Sequence, residues 1–270
     1  MNKLGLQLAC VQDKLVSQPQ QTLEYIYNLG LRHIELPEIR LLKRLHPVLT
    51  GMGFKVHSSY FASPYITKNW EPYLAFGKAK PKIETFSELI EEASKYNLSY
   101  LVCPDIFPQD RGDLEWYSSF SEWMNEAGKA CQEAGIQLCY HNHNFEFQPV
   151  ENTSPFEVML ETFDPELVKF EVDIFWLSIA GVNIQNFIKE YQEQIALLHL
   201  GDLGSDAPQS YRAITLGQKM YQSVGKGKID FRSFLQLKET ADIPYYFLNL
   251  EQSENILEDL KTSVEYLKNL

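Results

Sequence analysis

Side chains that could bind a metal ion or transfer a proton stand at the ends of four consecutive apolar strand patterns. They are Glu146, Asp173, His199 and Glu251. In a parallel barrel the carboxyl ends of the strands meet at one face, so these four side chains are expected in one pocket. Three carboxylates and an imidazole cannot share a pocket unless protons or a cation lie between them, because like charges repel.

One divalent metal ion would neutralise this cluster, with oxygen and nitrogen ligands at roughly 2.0–2.2 Å. The donor set suits Mn, Mg, Co or Zn, and the sequence does not choose among them. Glu146 and Glu251 are the predicted catalytic pair, one acting as base and the other as acid on opposite sides of the metal.

Period-two alternation supports three of the four positions. His199 lies between Leu198 and Leu200, and apolar residues precede Asp173 and Glu251 with the same spacing. Alternate residues of a strand point to opposite faces, so the apolar residues suit the side that faces the helices. The polar residues between them are therefore expected to point into the barrel.

Short apolar runs alternate with helical patterns along the whole chain. The strand patterns cover residues 4–9, 33–36, 55–58, 100–103, 136–140, 168–173, 195–200 and 245–250. The clearest helical patterns cover residues 19–28, 83–96, 115–134, 155–163, 184–192, 231–239 and 253–270. Eight such units in about 250 residues predict an α/β fold, a single (β/α)8 TIM barrel formed by residues 1–270 as one domain.

Composition excludes several classes of protein. The chain has 270 residues and a formal net charge of −12, which repels phosphate backbones and argues against nucleic-acid binding. It contains no run of 18 apolar residues, so no membrane span is expected. Its four cysteines are scattered without metal-ligand spacing, and its N-terminus passes directly into a strand pattern. These features predict a cytoplasmic protein without a secretory signal. The sequence leaves open whether the chain forms a homo-oligomer.

Two long segments, 61–82 and 201–224, follow predicted strands and should lie on the catalytic face, where they could cover a substrate. The first contains Trp70, Tyr73 and Phe76. These aromatic residues could pack against the barrel or form a platform for a sugar, and the sequence leaves both interpretations open.

Residues 140–147 read Tyr-His-Asn-His-Asn-Phe-Glu-Phe, which resembles the Tyr-His-Asn-His-x-x-Glu-Phe motif of the xylose-isomerase-like sugar phosphate isomerase/epimerase family. Other segments that resemble this family are 5–8, 125–136, 170–176, 198–202, 224–231 and 250–252. The resemblance implies a TIM barrel that acts on a carbohydrate and holds one divalent metal. It implies the metal ligands Glu146, Asp173, His199 and Glu251, with Glu146 also taking part in proton transfer.

Three positions differ from the family pattern. Gly201 stands where the family usually has Lys, Lys226 where it has Glu, and Tyr60 where it often has His. All three lie outside the predicted metal set, so they affect the identity of the substrate more than metal binding. Lys226 could supply the cation that is missing at position 201.

Seven further residues are predicted to contact the substrate: His141, His143, Asp202, Lys226, Tyr60, Glu35 and Trp176. His141 and His143 could instead form hydrogen bonds that orient the metal ligands. The sequence leaves both roles open for this pair.

The leading hypothesis is a divalent-metal-dependent isomerase or epimerase that acts on a ketose or related keto-polyol. The metal would polarise the carbonyl and stabilise the enediolate that forms when the neighbouring carbon loses its proton. A dehydratase or lyase on an inosose or 3-keto-glycoside could use the same site. A sugar-binding barrel without turnover is a further alternative. An abasic-site endonuclease is disfavoured by the net charge of −12 and by only six histidines.

Overall fold

The chain forms a closed barrel of eight parallel strands in a computed structural model that describes residues 2–212, 220–250, 253 and 255–270. The strands are β1 (Leu4–Gln7), β2 (His33–Leu36), β3 (Lys55–Tyr60), β4 (Tyr100–Cys103), β5 (Gln137–His141), β6 (Val168–Asp173), β7 (Ile195–Leu200), β8 (Asp202–Leu203), β9 (Tyr221–Gln222) and β10 (Tyr245–Leu248). From β1 to β7 each barrel strand pairs with the next; β10 pairs with β7 and β1 and closes the ring, whereas β8 and β9 form a separate antiparallel pair. The predicted TIM barrel is confirmed.

Helices connect the strands, as expected for parallel pairing. They are α1 (Gln12–Ser17), α2 (Pro19–Asn28), α3 (Leu42–Gly51), α4 (Pro64–Thr67), α5 (Glu71–Ala75), α6 (Phe86–Lys95), α7 (Leu114–Glu133), α8 (Pro155–Thr162), α9 (Ile174–Ala180), α10 (Ile184–Tyr191), α11 (Phe231–Leu235), α12 (Lys238–Asp242) and α13 (Ile256–Lys268). No helix in the described part of the chain is long and apolar enough to cross a membrane.

Element boundaries differ from the predicted ones where local hydrogen bonds compete with the apolar pattern. The first strand ends at Gln7, because Leu8–Val11 turns into a 3-10 helix. Helix α6 begins at Phe86 because Thr85 and Glu88 form a reciprocal capping box, so the first three residues of the predicted helix lie outside it.

The helical pattern predicted for residues 231–239 is divided into α11 and α12. Leu237 adopts an extended conformation with ψ of 144°, which interrupts the helix between the two segments. Segment 61–82, predicted as a loop, contains the short helices α4 and α5, and Tyr73 in α5 is buried.

The alternation predicted for the strands decides which residues face the barrel interior. Phe170 of β6 packs outward against Phe156 of α8, with ring centroids 4.8 Å apart. Its neighbours Glu171 and Asp173 are buried and pair in register with residues of β7, including His199. Because these polar side chains are shut away from water, they must find partners among themselves.

A small apolar cluster, separate from the main core, lies below these polar residues. It contains Val102, Cys139, Ala196, Leu197 and Phe247, from strands β4, β5, β7 and β10. Gly5 of β1 makes room for the Phe247 ring, since a Cβ at position 5 would lie 2.7 Å from Phe247 Cδ1. Fully burying such a side chain contributes roughly 1.5–3 kcal/mol, so this layer fills the barrel and supports the polar residues above it.

Candidate metal and active site

Five buried ionisable side chains meet at the carboxyl ends of the strands. They are Glu35 on β2, His141 on β5, Glu171 and Asp173 on β6, and His199 on β7. Parallel pairing brings them together, because His141 is in register with Glu171 and Asp173 is in register with His199. The most exposed of them, His141, has only 3% of its surface accessible to solvent.

Three of these side chains present a group of donor atoms that could hold a metal ion. Asp173 Oδ2 lies 3.9 Å from His141 Nε2 and 3.8 Å from His199 Nδ1. One ligand-capable atom from each of the three residues lies within 4.8 Å of the other two. Ligand atoms of a tetrahedral ion with bonds of roughly 2.0–2.1 Å are about 3.3 Å apart, so the two distances from Asp173 Oδ2 exceed those of a bound ion by about half an ångström. Two imidazole nitrogens and a carboxylate oxygen suit Zn, Co or Mn.

The two oxygens of Asp173 have different partners. Oδ1 accepts a hydrogen bond of 2.9 Å from Phe175 N and caps helix α9. Oδ2 faces the imidazoles and accepts a hydrogen bond of 3.2 Å from Asn249 Nδ2. Asp173 therefore both begins a helix and contributes an oxygen to the site.

A second group of ligand-capable atoms, from Glu35, Glu171 and His199, lies on the other side of the His199 ring. His199 Nε2 lies 2.6 Å from Glu35 Oε1 and 3.4 Å from Glu171 Oε1. The other oxygen of Glu171 lies 3.2 Å from His141 Nδ1. Each imidazole thus has one nitrogen beside a buried glutamate and the other beside Asp173.

Burial and charge set the protonation of these groups. Burial alone would lower the pKa of His199, but the carboxylates of Glu171 and Glu35 outweigh it and raise that pKa well above its usual range. Burial and the charge of Glu171 raise the pKa of Glu35 to about 7. Both shifts favour a proton held between Glu35 and His199. Burial and the neighbouring His199 lower the pKa of His141, which favours the neutral imidazole that metals bind.

Glu146 lies outside both groups of ligand-capable atoms. It belongs to the 3-10 helix Phe145–Phe147, is fully buried, and accepts hydrogen bonds from Tyr140 Oη at 2.6 Å and from His143 N at 3.0 Å. Burial raises its pKa to about 7, although the Tyr140 hydrogen bond opposes that shift. Of the four ligands predicted from the sequence, the structure brings together Asp173 and His199. The fourth, Glu251, lies outside the described residues.

Three predicted substrate contacts lie near the imidazoles: Tyr60 and His143 pack beside them, and Trp176 packs against His143. Tyr60 Oη lies 3.3 Å from His141 Nδ1 and 3.5 Å from His199 Nδ1. The His143 ring packs against the rings of His141 and Trp176, with centroids 5.2 and 5.1 Å apart. His143 Nδ1 is buried and has no hydrogen-bond partner among the described residues.

Asp202 and Lys226, also predicted to contact the substrate, lie in and beside a tight turn. Asp202 is buried, and its carboxylate accepts hydrogen bonds from four backbone N–H groups, those of Leu203, Gly225, Gly227 and Ile229. Lys226 stands exposed in the turn that Asp202 holds, and it forms no ion pair within the described ranges. The geometry shows Asp202 organising the turn that presents Lys226.

The space that a lysine would need at position 201 is closed. A Cβ on Gly201 would lie 2.9 Å from Asn249 O and 3.3 Å from Phe175 Cβ. Asn249 is also the residue that donates to Asp173, so a larger side chain at 201 would disturb the site. This packing accounts for glycine at a position where the sequence resemblance predicts lysine.

Three residues of the site are absent from the sequence prediction: Glu171, Asn142 and Asn249. Glu171 could have been predicted from the sequence. It lies two residues before Asp173, so the alternation that turns Asp173 inward also turns Glu171 inward. The two asparagines act through side-chain hydrogen bonds to Asp173, and no local pattern reveals such contacts.

Known proteins share this fold and parts of this sequence. Residues 23–270 match the family model described as xylose isomerase-like TIM barrel. Among curated proteins, inosose dehydratase 2 of Bacillus cereus is 30% identical over 140 residues, which cover 50% of this chain and 46% of the relative. The chain thus spans about half or less of the first curated relatives that it matches.

Solved structures align over nearly the whole chain. A sugar phosphate isomerase/epimerase from Parabacteroides distasonis aligns with a TM-score of 0.78 and 20% identity over 99% of this chain and 94% of that one. The IolI protein with a bound zinc atom aligns with a TM-score of 0.68 and 15% identity over 99% and 95%. Such identities show the fold alone. The family model, however, covers most of the residues that build the barrel, and the chain therefore belongs to the xylose isomerase-like TIM barrel family.

Proposed function

We propose that this protein is a divalent-metal-dependent enzyme that moves a proton at the carbon next to a carbonyl of a ketose or related keto-polyol. The observation that carries the proposal is the convergence of His141 Nε2, His199 Nδ1 and Asp173 Oδ2 at the carboxyl end of the barrel. Active sites of TIM barrels lie at that end. The family's named members, which include inosose dehydratases and a sugar phosphate isomerase/epimerase, support a carbohydrate substrate.

The proposed ligand set replaces Glu146 by His141. His141, Asp173 and His199 would hold the metal, and Glu251 remains the predicted fourth ligand and catalytic residue. When bound, a divalent cation supplies Lewis-acid polarisation of the substrate carbonyl and stabilises negative charge on its oxygen. The zinc atom in the IolI protein, which has the same fold, supports a metal here without choosing which one.

This chain's residues would orient the substrate and exchange its proton. The Tyr60 hydroxyl, close to both imidazoles, would donate a hydrogen bond to a substrate oxygen. His143 Nδ1, which has no partner within the described ranges, would bind a substrate hydroxyl. Glu251 would take or return the proton at carbon. The buried surroundings keep water away from these groups, which strengthens each interaction.

The leading outcome is isomerisation or epimerisation, in which the proton returns to the neighbouring carbon or to the opposite face of the same carbon. Dehydration is the second candidate, because the curated relatives that match this chain are named inosose dehydratases. Loss of a β-hydroxyl would follow from the same proton abstraction, so both outcomes use one site.

Deuterium exchange tests the proposal. Protein reconstituted with Mn, and then exchanged into Zn or Mg for NMR, would be incubated in D2O with ketoses, inososes and 3-keto-glycosides. Metal-dependent deuterium incorporation is expected at one carbon next to the carbonyl. The products separate epimerisation from loss of water. Metal uptake without exchange on any compound of the panel would contradict the proposal and favour a sugar-binding barrel.

A matched pair of variants tests the ligand set. His141→Gln removes a proposed ligand, whereas Glu146→Gln changes a buried carboxyl that lies outside both ligand groups. We expect His141→Gln to lose tight Co binding and Glu146→Gln to keep one ion per chain. The reverse result would restore Glu146 as a ligand and remove His141.

A further inference from the structure

We propose that Glu35 and Glu171 are positioning residues that fix the two proposed histidine ligands in opposite tautomers. His199 would carry its proton on Nε2 and bind the metal through Nδ1, whereas His141 would carry its proton on Nδ1 and bind through Nε2. This inference rests on the proposed metal site and deepens it. It gives Glu35 a role different from the substrate contact that the sequence predicts.

A backbone N–H group fixes the acceptor that faces His199. Ala9 N donates a hydrogen bond of 3.0 Å to Gln7 Oε1, which fixes the orientation of the Gln7 amide. Gln7 Nε2 must then donate to Glu35 Oε1, at 2.8 Å. Ser58 Oγ donates to the other oxygen of Glu35 at 2.5 Å. Oε1 of Glu35 is thus held as an acceptor.

An acceptor at Glu35 Oε1 requires a donor on the facing imidazole. His199 Nε2 lies 2.6 Å from that oxygen, so Nε2 carries the hydrogen. Glu171 is also completely buried, and its Oε1 lies 3.4 Å from the same nitrogen, which adds a second carboxylate beside it. The remaining nitrogen, Nδ1, is the one that faces Asp173.

His141 also faces a buried carboxylate, but through its other ring nitrogen. Glu171 Oε2 lies 3.2 Å from His141 Nδ1, which places the hydrogen on Nδ1 and leaves Nε2 toward Asp173. Both glutamates are completely buried, so a substrate in the barrel mouth would not reach them before the imidazoles. Carboxylates behind metal-binding histidines typically contribute 10- to 100-fold to metal affinity.

Imidazole tautomers can be read directly. Long-range 1H–15N correlation on zinc-loaded, 15N-labelled protein reports which ring nitrogen carries hydrogen, and six histidines give a resolvable spectrum. We expect zinc on Nδ1 of His199 and on Nε2 of His141, assigned by single His→Gln variants. Zinc bound with the same tautomer on both rings would overturn the inference and leave the metal site standing. Wild-type protein that takes up no zinc would refute the proposed function itself.

Paired variants separate a positioning role from a general effect on folding. Glu35→Met removes the acceptor and keeps a side chain of similar length. Glu35→Gln keeps an acceptor oxygen and loses the charge. We expect Glu35→Met to bind Co roughly 10- to 100-fold more weakly and to lose the fixed tautomer of His199. Glu35→Gln should keep that tautomer and lose less affinity. Equal affinity and an unchanged tautomer in Glu35→Met would refute the role of Glu35.

Glu171→Met tests the role of Glu171 in fixing the His141 tautomer, and it remains informative if Glu35→Met fails to fold. It should release the tautomer of His141, and an unchanged His141 signal would refute the role of Glu171. Asp110→Asn is the matched control, because Asp110 is a buried carboxylate that accepts from the Asn69 amide instead of an imidazole. It should leave Co affinity and both tautomers unchanged; weakening as large as that of Glu35→Met would count against a specific role.

Discussion

The side-chain amide of Asn142 pairs with the backbone of Asp173. Asn142 Oδ1 accepts from Asp173 N at 3.0 Å, and Asn142 Nδ2 donates to Asp173 O at 3.5 Å. Asn142 directly follows His141, so this contact ties together the ends of β5 and β6. The asparagine between the two histidines of the Tyr-His-Asn-His block therefore sets the separation of two proposed metal ligands.

Asn142→Ala should weaken metal binding and lower stability together. The change leaves the buried N–H of Asp173 without its acceptor, which costs about 1–3 kcal/mol of the free energy of unfolding. Chemical denaturation and Co titration measure the two effects. Asn142→Asp keeps the acceptor for Asp173 N and serves as the control for that bond. A stable Asn142→Ala protein with wild-type Co affinity would show that the contact does not set the geometry.

Glu146 should make the protein less stable as the pH rises from about 4.5 to above 7. Burial raises its pKa to about 7, so the folded chain holds a proton that the unfolded chain has released in this window. Stability from this proton is fully present below the unfolded pKa and is lost as the pH passes the folded one. A shift of this size corresponds to about 3 kcal/mol.

The comparison is with Glu146→Gln, whose amide resembles the protonated acid at every pH. Urea unfolding at several values between pH 4.5 and 8 should show the wild-type protein losing about 3 kcal/mol relative to this variant. Parallel stability curves for the two proteins would mean that Glu146 is ionised in the fold.

His57 should produce the opposite pH dependence from the other end of the barrel. Burial, helped by the charges of His33 and Lys55, lowers the pKa of His57 to about 4. Between pH 6.5 and 4 the unfolded chain binds a proton that the folded chain does not, so stability falls as the pH falls through this window. Thermal unfolding of His57→Gln should show a flatter acid limb than the wild-type protein.

The control for this prediction is His46→Gln. His46 lies in α3 and packs against Tyr96, away from the hydrogen-bonded pair of His33 and His57. Its acid limb should match that of the wild-type protein. A flattened acid limb in His46→Gln, with an unchanged limb in His57→Gln, would contradict the prediction and assign the acid sensitivity to His46.

Asp202→Asn should destabilise the protein more than it affects substrate affinity. The amide would place an NH2 group against backbone N–H donors, so two of four hydrogen bonds to a charged acceptor are lost, at a cost of about 3 kcal/mol or more. Asp206→Asn, at an exposed carboxylate in the same segment, is the matched control. Unchanged stability with a raised KM would instead support the predicted role of Asp202 in substrate binding.

Much of the fold was predictable because its signals are local. Strand patterns such as 168–173 and 195–200 match the observed strands, since alternation of apolar residues directly reflects which face of a strand is buried. Element ends were less predictable: Leu8, Ala9 and Leu237 leave their predicted elements because local backbone hydrogen bonding and torsion angles outweigh the apolar pattern. That residues 1–270 form one domain stays a prediction.

The sequence by itself determined the barrel and the inward positions of Asp173 and His199, because strand alternation fixes both. Only the tertiary structure decided what meets them. Glu35 and His199 are 164 residues apart and become neighbours only when the barrel closes. That Glu146 binds the metal stays a prediction. The chain leaves β5 at His141, and the 3-10 helix Phe145–Phe147 places the Glu146 carboxylate on Tyr140 Oη and His143 N, while His141 Nε2 lies 3.9 Å from Asp173 Oδ2.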